Sequence, residues 1–402
     1  MTSSLQNLLN LPRYASDGAR AIKPGFERIE SVLEHLGRPD KAMDIALVAG
    51  TNGKGSTASM MAACLTSAGY RTALQTSPHL LRVNERMRVD GVAAPDKWLE
   101  QAIEAHLSVF QEIGTSFYEA TLALSLHWFA TQRVSHAVIE TGLGGRLDAT
   151  NFLNASVSVI TTVDLDHTEL LGNTIEEIAS EKAGIIKSGK PVVLGNMYSA
   201  AAEVISRLAQ DRSAPVHDYK PLPSVEPPFR LALAGRHQVD NASTALNALA
   251  AWGLELNEQQ IRGGLKHTPR LSGIRARSEI AREQPLLMID VAHNAAALTA
   301  SVETFMDRCA DKGALKVVIG LLADKDIDSI ATLLSKYPLE VHTVDTDGGR
   351  GLSSSILASR FEAAGLKNVH PAYDLRHALR ETVPCLITGS HMVAATAILA
   401  ID

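Results

Sequence analysis

The sequence has few cysteines, no membrane-length apolar run and no excess of positive charge. Its three cysteines, Cys64, Cys309 and Cys385, lie far apart and form no C-x-x-C pair, so we expect three reduced, buried thiols in a cytoplasmic protein. No apolar run approaches the roughly 20 residues that a membrane-spanning helix needs. The net charge of −6 argues against general binding to nucleic acids or acidic membranes.

The first ten residues also lack the cationic start and the apolar core of a signal peptide. The composition, with 46% apolar and 20% charged residues, is typical of a soluble globular protein. A chain of 402 residues is too long for one ordinary core, so two or three domains are expected. We therefore predict a monomeric protein of the cytoplasm whose partners are small molecules.

Apolar strands alternate with helical patterns along the chain, which predicts an α/β fold with mainly parallel sheets. The predicted strands of the first part are 44–49, 71–76, 134–140, 156–162 and 191–195. The predicted helices of this part are 54–69, 95–113, 117–132, 174–183, 199–210, 241–252 and 257–266. Thr174 and Glu177 form a capping box at the start of one of these helices.

A domain boundary is predicted near residues 268–277, beyond which a second α/β pattern begins. Its predicted strands are 286–291, 315–321, 339–344 and 385–389, and its predicted helices lie near 295–309, 326–336, 353–365 and 374–382. This pattern is sufficient for a small doubly wound domain. The predicted domains are therefore 1–270 and 275–402, of which the second is Rossmann-like.

One run leads from an apolar strand through a glycine-rich turn into a helix: Leu47-Val48-Ala49-Gly50-Thr51-Asn52-Gly53-Lys54-Gly55-Ser56. Glycines let the backbone approach a ligand closely, and the N–H groups of the turn and the helix N-terminus converge on an anion. Lys54 adds a point charge for the outer phosphates, and Ser56 offers a hydroxyl to Mg²⁺.

Gly55 separates the lysine from the serine, so the spacing departs from the strict G-x-x-x-x-G-K-[ST] motif. We still predict a nucleotide site that makes the first domain a P-loop-type ATPase domain. The predicted ATP-binding residues of the loop are Thr51, Asn52, Gly53, Lys54, Gly55 and Ser56. The alternative is a glycine-rich turn without a ligand.

Charged residues also follow two other predicted strands of this sheet. Glu140 ends a buried strand, and ligands of open parallel sheets gather beyond the carboxyl ends of strands, so Glu140 is placed to reach Mg²⁺ near the phosphates. His167 follows the next strand and is suited to hold a metal or a phosphate. Since Mg²⁺ prefers oxygen ligands, Asp164 and Asp166 remain alternatives to the imidazole.

Two further segments carry charged groups. Lys182 lies at the end of a predicted helix, where the residue pattern alone indicates a solvated cation that the helix dipole favours. Asp290 and His293 follow the first strand of the second predicted domain. A carboxylate and an imidazole there would face the nucleotide across an interdomain cleft, which is a common place for a substrate site.

These segments together resemble the folylpolyglutamate synthase/dihydrofolate synthase family of the ATP-dependent Mur-ligase superfamily. The resemblance runs from about residue 20 to the C-terminus. The matching runs are Gly25-Phe26-Glu27-Arg28-Ile29, the phosphate loop at 50–56, Ser77-Pro78-His79-Leu80, Glu85-Arg86 with Arg88, Leu143-Gly144-Gly145-Arg146-Leu147-Asp148-Ala149-Thr150-Asn151, Asp166-His167-Thr168, Leu171-Gly172, Glu181-Lys182-Ala183-Gly184-Ile185, His237-Gln238 with Asn241-Ala242, Asp290 with Ala292-His293-Asn294, and Asp324-Lys325-Asp326.

The resemblance implies an activity with ATP and Mg²⁺ as cofactors. ATP phosphorylates the carboxylate of a pteroate or folate, and the amine of L-glutamate then attacks the acyl phosphate. The implied metal ligands are Ser56, Glu140, His167 and Lys182, the last of them as a carbamylated lysine. Lys54, Lys182 and His167 are the implied catalytic residues.

The resemblance also implies the ligand contacts. Asn241, Asp290 and His293 match positions that contact ATP from its base and ribose side. The implied residues on the substrate side are Ser77, Pro78, His79, Leu80, Arg86, Arg146 and Asp148.

Two departures from the family pattern stand out. The family usually has a Pro-Gly-Arg run at the domain junction, whose arginine meets the ATP phosphates. Here the run is Pro269-Arg270-Leu271-Ser272-Gly273-Ile274-Arg275, so either Arg270 or Arg275 takes that role. Ala295 stands where the family has a proline after the His-Asn pair, which is expected to alter a turn more than the chemistry.

The predicted function is an ATP-dependent ligase that adds L-glutamate to dihydropteroate, to folates or to both. One alternative is a Mur-type ligase of cell-wall precursors. Such a ligase is expected to have an N-terminal domain for a uridine nucleotide, and the about 40 residues before the first strand leave no room for one. The other is an ATP-binding homologue without ligase activity. The retained Lys54, Glu140, His167 and Lys182 argue against that second alternative.

Overall fold

Two sheets organise the chain, one in each of two compact units. The structure is a computed structural model that describes residues 3–12, 25–309, 314–346, 350–371, 375–378, 380 and 382–401. The first unit is Met1–Ala232 with Gln238–Ile274, and the second is Leu233–His237 with Arg275–Asp402.

The first unit is built on an eight-stranded sheet. Its strands are β1 (Asp44–Ala49), β2 (Thr72–Gln75), β3 (Met87–Val89), β4 (Val92–Ala93), β5 (His136–Glu140), β6 (Val157–Ile160), β7 (Val192–Leu194) and β8 (Val216–His217). The strand order is β4-β3-β2-β5-β1-β6-β7-β8. The six strands from β2 to β8 in this order are parallel, and β3 and β4 add an antiparallel edge.

Helices pack on this sheet because its strands are apolar on both faces. The helices are α1 (Ser3–Leu9), α2 (Glu27–His35), α3 (Lys54–Ser67), α4 (Asp96–Ile113), α5 (Phe117–Thr131), α6 (Thr168–Leu171), α7 (Ile175–Ala183), α8 (Ser199–Asp211), α9 (His237–Ala251), α10 (Glu258–Lys266) and α11 (Thr268–Ser272). Helix α3 contacts β1, β2 and β5, whereas α5 contacts β2 and β3. Ile45, Leu47 and Ala49 of β1 share one hydrophobic core with α2, α4 and α5.

The second unit repeats the α/β pattern on a six-stranded sheet. Its strands are β9 (Glu279–Arg282), β10 (Leu287–Ile289), β11 (Leu315–Ile319), β12 (Leu339–Thr343), β13 (Val369–His370) and β14 (Cys385–Thr388), in the order β13-β12-β11-β14-β10-β9. Among the described strands of this second sheet, only β9 is antiparallel to its neighbour. The helices are α12 (Ala295–Arg308), α13 (Ile327–Leu334), α14 (Ser354–Ala363), α15 (Leu375–Ala378) and α16 (His391–Leu399). The predicted fold class, an α/β chain with a mainly parallel first sheet and a smaller second domain, is confirmed.

The long apolar strands and the periodic helices lie where the sequence predicts them. Strand β1 has the predicted bounds, and β5 begins at His136 instead of residue 134. The capping box of α7 is also present, since the Glu177 amide donates to Thr174 Oγ1 at 3.2 Å and Glu177 Oε2 accepts from the Thr174 amide at 3.2 Å. The short strands β3, β4, β8, β9 and β13 were not predicted, because they lie at or next to the edges of the two sheets and lack the continuous apolar runs of the central strands.

The three cysteines are buried and none of them forms a disulfide, as the sequence predicts. Cys64 lies where α3 meets α10, and a Cβ atom added to Gly264 would lie 2.5 Å from the Cys64 Cα. Only a glycine allows this close approach of the two helices. In the described part of the chain, no helix has the length and apolar character needed to cross a membrane.

The register of the first sheet brings three segments together at the end of β1. Val48 pairs with Glu140 at the end of β5, and Ala49 pairs with Ile160 at the end of β6. The carboxyl ends of parallel strands lie at one edge of a sheet. The loop after Ala49, the carboxylate of Glu140 and the segment after Ile160 therefore begin beside one another.

Candidate active site

The glycine-rich loop after β1 is hydrogen-bonded to the segment that follows β6. The Thr51 amide donates to the Thr162 carbonyl at 2.8 Å, and the Asn52 amide donates to Thr162 Oγ1 at 3.0 Å. Thr161 Oγ1 donates to the Asn52 carbonyl at 2.6 Å. The Thr51 hydroxyl accepts from the Asp164 amide at 3.0 Å and donates to the Asp164 carbonyl at 3.1 Å. These contacts fix the path of the loop.

Two glycines make this path sterically accessible. Gly50 has a φ of 154° and Gly53 has a φ of 82°, which lies in the left-handed region. A Cβ atom would lie 1.9 Å from Thr161 Oγ1 at the first position and 2.3 Å from Asn241 Oδ1 at the second. Both positions therefore exclude any residue with a side chain.

Lys54 begins helix α3 and turns its side chain back over the loop. Its Nζ donates to the carbonyls of Gly50 at 2.9 Å and Thr51 at 3.1 Å. The ammonium thus lies at the helix N-terminus, beside N–H groups that attract anions. Gly55 follows it at the helix start, and Ser56 is buried in the first turn. This arrangement suits the phosphates of a nucleotide.

Asn241 lies beside this loop, within the first unit. Its Oδ1 accepts from Thr57 Oγ1 at 3.5 Å, and its Nδ2 donates to Gln238 Oε1 at 3.0 Å. Gln238 Nε2 in turn lies 3.4 Å from Ser56 Oγ. The sequence analysis gave Gln238 no role, although its spacing of three residues from Asn241 places both amides on one helix face.

Glu140 is buried at the carboxyl end of β5, with 3% of its surface exposed. Its Oε2 accepts from the Ser77 amide at 2.9 Å, so the carboxylate also holds the segment that follows β2. The Ser77–Pro78 peptide bond is cis. The structure therefore joins the predicted metal ligand to the first residue of the predicted substrate segment.

The segment after β6 carries Asp164, Asp166 and His167. Burial raises the pKa of Asp164, while a hydrogen bond from the Asn52 side chain and the charge of Lys182 act in the opposite direction. His167 has a left-handed backbone with a φ of 51°, and its amide donates to Asp166 Oδ1 at 2.9 Å. Its Nε2 lies 3.9 Å from the same carboxylate oxygen.

Lys182 is buried, with 2% of its surface exposed, so the solvated cation expected from the residue pattern alone is wrong. Burial, followed by the charge of Lys54, lowers the pKa of Lys182 to about 7, and Asp166 and Asp164 oppose this shift. A pattern of residues cannot show this burial, because the covering segment comes from residues near Gly145. At neutral pH, a large fraction of this amine is uncharged.

Backbone contacts explain how the end of α7 becomes covered. The Arg146 amide donates to the Glu181 carbonyl at 2.8 Å, and the Arg146 Nε donates to Glu181 Oε1 at 2.9 Å. A Cβ atom on Gly145 would lie 2.8 Å from the carbonyl oxygen of Lys182. On the other side, Arg212 Nη1 donates to the carbonyls of Ala183 at 2.9 Å and Ile186 at 2.8 Å. These donors satisfy carbonyls that a helix end leaves unpaired.

Asp148 orders the loop that contains Arg146. Its Oδ2 accepts from the amides of Gly142 and Leu143, both at 2.9 Å, and its Oδ1 accepts from the Thr150 amide at 3.0 Å and the Thr150 hydroxyl at 2.6 Å. Burial raises the pKa of Asp148, and these hydrogen bonds oppose the shift. These donors occupy the lone-pair sites of the carboxylate. The predicted contact of Asp148 with substrate stays a prediction.

Tyr118 adds a contact that the sequence analysis did not find. Its hydroxyl lies 3.3 Å from Asp148 Oδ1 and 3.4 Å from the Glu140 carbonyl oxygen. Burial raises the pKa of this phenol well above its usual value. A Cβ atom on Gly142 would lie 2.7 Å from the Tyr118 ring, so ring and loop pack closely. The sequence signal that could have indicated this contact is the aromatic pair Phe117-Tyr118, which directly follows the capping residue Ser116.

The predicted substrate segment Ser77–Leu80 is held by two side chains from the turn that follows it. Glu85 accepts from the amides of Leu80 at 2.8 Å, Leu81 at 3.1 Å and Arg82 at 3.0 Å. Arg86 Nε donates to His79 Nδ1 at 2.9 Å.

Arg86 is a buried cation beside the predicted substrate segment. Burial lowers its pKa to about 10, and the charge of Glu140 opposes this shift. Its guanidinium carbon lies 5.1 Å from the centroid of the Phe117 ring, which is a cation–π distance. The structure thus brings Arg86, His79, Tyr118 and Glu140 into one linked cluster.

The two candidate arginines of the junction lie in different units. Arg270 is exposed on α11 of the first unit, and Gly273 ends that helix with a φ of 73°. Arg275 is exposed in the second unit, where its Nε donates to Glu279 Oε1 at 2.7 Å. The geometry of either unit alone does not choose between them, and both remain candidates.

Asp290 and His293 follow β10 of the second unit, as predicted from the strand pattern. Asp290 is buried, and its carboxylate accepts from the amides of Ser278 at 2.5 Å and Ala292 at 2.7 Å. Burial raises the pKa of Asp290, and the charge of Arg277 opposes the shift. The His293 Nδ1 lies 2.9 Å from the Val291 carbonyl oxygen. Both side chains therefore occupy the carboxyl edge of the second sheet.

The donor set at the end of β1 suits a magnesium ion that binds together with a nucleotide. Within the described ranges, no group of three or more His, Cys, Asp and Glu residues is arranged to hold a metal by itself. The predicted set contains only two such residues, Glu140 and His167, with the hydroxyl of Ser56. Mg²⁺ is usually held by one or two carboxylates together with substrate phosphates and waters, and the predicted set with its single carboxylate is compatible with this mode of binding.

Comparison with known proteins shows the family to which this chain belongs. A model of the Mur ligase middle domain matches residues 48–222, and a model of the Mur ligase glutamate ligase domain matches residues 276–397. The dihydrofolate synthase/folylpolyglutamate synthase of Escherichia coli K12 is 34% identical over 410 residues, which cover 96% of this chain and 93% of that protein. The chain belongs to the dihydrofolate synthase/folylpolyglutamate synthase family of Mur ligases.

Solved structures of this family share the whole fold. E. coli FolC in complex with DHPP and ADP has a TM-score of 0.85 and 31% identity, and the match covers 100% of this chain and 97% of that one. The bifunctional folylpolyglutamate synthase/dihydrofolate synthase of Yersinia pestis with AMPPNP and a Mn ion has a TM-score of 0.84 and 29% identity, with coverage of 99% and 97%.

The buried amine of Lys182 predicts a pH dependence of stability. In CO₂-free buffer, the folded state loses this proton near pH 7, whereas the unfolded chain keeps it to about pH 10.5. The unfolded state binds more protons in this window, so the free energy of unfolding rises with pH. We expect this rise to be steeper in the wild type than in Lys182→Met when urea unfolding is compared at pH 7 and pH 9. Equal slopes in the two proteins would contradict the burial argument.

Proposed function

We propose that this chain is an ATP-dependent ligase that joins L-glutamate to dihydropteroate and to folates through an acyl phosphate. The observation that carries the proposal is the arrangement at the end of β1. There the loop of Lys54 is hydrogen-bonded to the segment of His167, and β1 is paired with the strand of Glu140. The family relationship supplies the substrates, since the matched second domain is a glutamate ligase domain.

The nucleotide would be held by the loop residues 51–56. Lys54 and the N–H groups at the start of α3 stabilise negative charge on the phosphoryl group during transfer. Ser56, Glu140 and His167 would hold the magnesium ion, which supplies Lewis-acid stabilisation of the phosphate oxygens. Asn241, Arg270 or Arg275, Asp290 and His293 are the proposed further contacts of ATP.

Lys182 is proposed to become a carbamate. Its uncharged amine attacks the carbon of CO₂, an N–C bond forms, one C–O π pair moves to oxygen, and the nitrogen loses a proton to water. The product carries a negative charge in place of a positive one. Two carboxylate-type oxygens beside the phosphate loop then suit Mg²⁺. The pKa of Lys182, lowered to about 7, favours this reaction at neutral pH.

The acceptor carboxylate attacks the γ-phosphorus of ATP, and the bond from that phosphorus to the β–γ bridging oxygen breaks, which releases ADP. The glutamate amine then attacks the acyl carbon, inorganic phosphate leaves, and the amine loses a proton. Ser77, Pro78, His79, Leu80, Arg86, Arg146 and Asp148 are the proposed residues on the acceptor side. The buried guanidinium of Arg86 beside the Phe117 ring offers a planar, charged surface for an aromatic acceptor.

We further propose the two domains 1–270 and 275–402, a monomeric state and a place in the cytoplasm. The three buried cysteines, none of which forms a disulfide, support this location.

One assay tests the function. Purified protein is incubated with Mg-ATP and L-glutamate, and with dihydropteroate, tetrahydrofolate or a UDP-muramyl precursor as acceptor. We expect glutamate-dependent phosphate release with the two pterin acceptors and none with the third. Release with the UDP-muramyl precursor alone would favour a cell-wall ligase. Nucleotide binding without release for any acceptor would favour a non-catalytic homologue.

Lys54→Ala is expected to lower kcat by about 10²-fold or more, because it removes a positive charge beside the transferring phosphoryl group. Steady-state phosphate release measures the loss. Lys190→Ala is the matched control, since Lys190 is an exposed lysine in the turn before β7. Near-normal turnover of Lys54→Ala would refute the role of this lysine.

Lys182→Ala is expected to be inactive and to recover part of its activity when short carboxylates such as acetate are added. The added carboxylate takes the place of the carbamate oxygens. Phosphate release with and without acetate measures the recovery, and Lys54→Ala, which acetate cannot repair, is the control. Full activity of Lys182→Ala without acetate would return this lysine to a structural role.

A further inference from the structure

Lys187 is a partly buried lysine in the segment that follows α7, and the reaction proposed above does not use it. Its Nζ donates to the Asn151 carbonyl at 2.5 Å and to Asn151 Oδ1 at 2.8 Å. Burial, followed by the charge of Arg212, lowers the pKa of Lys187 to about 8. Removing an ammonium from water is costly unless its N–H groups are paired, so the two bonds to Asn151 indicate what this lysine does.

Asn151 lies at the end of the turn 145–151, which carries the proposed acceptor residues Arg146 and Asp148. Its Nδ2 donates to the Arg146 carbonyl at 3.0 Å, and its amide donates to the Asp148 carbonyl at 2.8 Å. The Asp148 amide in turn donates to the Gly145 carbonyl at 3.1 Å. These bonds join the residues of the turn to one another, so a movement of Asn151 would also displace Arg146 and Asp148.

The turn is attached to the end of α7 and to the segment after it at two separate points. At the first point, the Arg146 amide donates to the Glu181 carbonyl at 2.8 Å, and the Arg146 guanidinium forms an ion pair with the Glu181 carboxylate at 2.8 Å. The second point is the pair of bonds from Lys187 to Asn151. One attachment would leave the turn free to rotate about it, whereas two attachments fix its orientation.

The segment that carries Lys187 is itself held by Arg212, the residue that ends helix α8. Arg212 Nη1 donates to the carbonyls of Ala183 at 2.9 Å, Gly184 at 3.2 Å and Ile186 at 2.8 Å. The backbone on either side of these carbonyls is therefore fixed. Lys187 reaches Asn151 from a rigid support, which a positioning side chain needs.

We propose that Lys187 is a positioning residue that fixes the turn 145–151 in the orientation that binds the acceptor. It acts through Asn151, whose backbone and side-chain carbonyl oxygens accept its N–H groups. The ammonium makes these bonds charge-assisted, and such bonds are about twice as strong as bonds between neutral groups. The inference rests on the acceptor role proposed above for Arg146 and Asp148.

The contacts of Lys187 are separate from those that fix the phosphate loop and the cover of Lys182. The phosphate loop is hydrogen-bonded to the segment after β6, and Lys182 is covered through the contact of Arg146 with Glu181. Loss of the Lys187 ammonium would loosen the turn at Asn151 while these other contacts remain. We therefore expect acceptor binding to weaken, with little change in ATP binding or in the rate at saturating acceptor.

Hydrogen exchange of the unliganded protein measures the attachment itself. Lys187→Met keeps a long, unbranched side chain and removes the N–H groups. We expect peptides that cover 145–151 to exchange about tenfold faster than in the wild type, and peptides that cover α3 to exchange at the wild-type rate. Lys190→Met is the matched control, because Lys190 is an exposed lysine in the turn before β7. Wild-type exchange of 145–151 in Lys187→Met would overturn the proposal.

Steady-state phosphate release separates positioning from a general loss of structure. For Lys187→Met we expect KM for tetrahydrofolate to rise about tenfold, while KM for ATP and kcat stay within about twofold of the wild type. A rise of both KM values by the same factor, or a fall in kcat without a rise in KM for the acceptor, would contradict a positioning role.

The two measurements also separate this inference from the proposed function. Hydrogen exchange needs no substrate, so it reports on the contacts of Lys187 even in a protein without ligase activity. A wild type that released no phosphate with either pterin acceptor would overturn the proposed function and this inference with it. An active wild type whose acceptor KM is unchanged in Lys187→Met would overturn this inference alone.

Discussion

The pairing of β1 with β5 and β6 is the constraint on which the site depends. Because Val48 pairs with Glu140 and Ala49 pairs with Ile160, the loop after β1 begins between a carboxylate and a threonine-rich segment. A shift of one residue in the register of β1 with β5 would turn Glu140 to the opposite face of the sheet. The hydrogen bonds from Thr161 and Thr162 to Asn52 then hold the loop in a shape that only glycine permits at Gly50 and Gly53. The register of the sheet therefore determines both the backbone path of the loop and the place where a ligand of that loop would bind.

Burial changes the chemistry of residues whose types alone suggest something ordinary. Lys182 would be a solvated helix-end lysine if nothing covered α7, but the backbone of Gly145 and Arg146 lies on the last turn of that helix. Desolvation then lowers the pKa of its amine, while Lys54 adds repulsion. The cover is made possible by a residue without a side chain at Gly145. The lowered pKa of Lys182 thus depends on a glycine 37 positions earlier in the chain.

Much of the fold and part of the candidate site could be predicted from the sequence, as particular residues show. Long apolar strands such as β1 and β5 and strong caps such as Thr174 are local signals, and they appear where the sequence places them. The burial of Lys182, the direction of the Gln238 amide and the contact of Tyr118 with Asp148 are long-range, because each depends on segments brought together by the sheet. The hairpin of β3 and β4 was not predicted because five residues in two strands carry too little pattern.

Three carboxylates that hold the loops of the candidate site differ in the origin of the backbone amides that donate to them. Asp148 accepts from amides within six residues of itself, and Glu85 accepts from amides within five, so each of them shapes its own loop. Glu140 instead accepts from the Ser77 amide, 63 residues away in the sequence. Donors from nearby residues stabilise a single turn. The distant donor Ser77 instead connects the segment after β2 to the carboxylate at the end of β5. A cation that binds the Glu140 carboxylate would therefore also affect the hydrogen bond that holds the segment beginning at Ser77. This one contact joins the edge proposed to bind the nucleotide to the loop proposed to hold the acceptor.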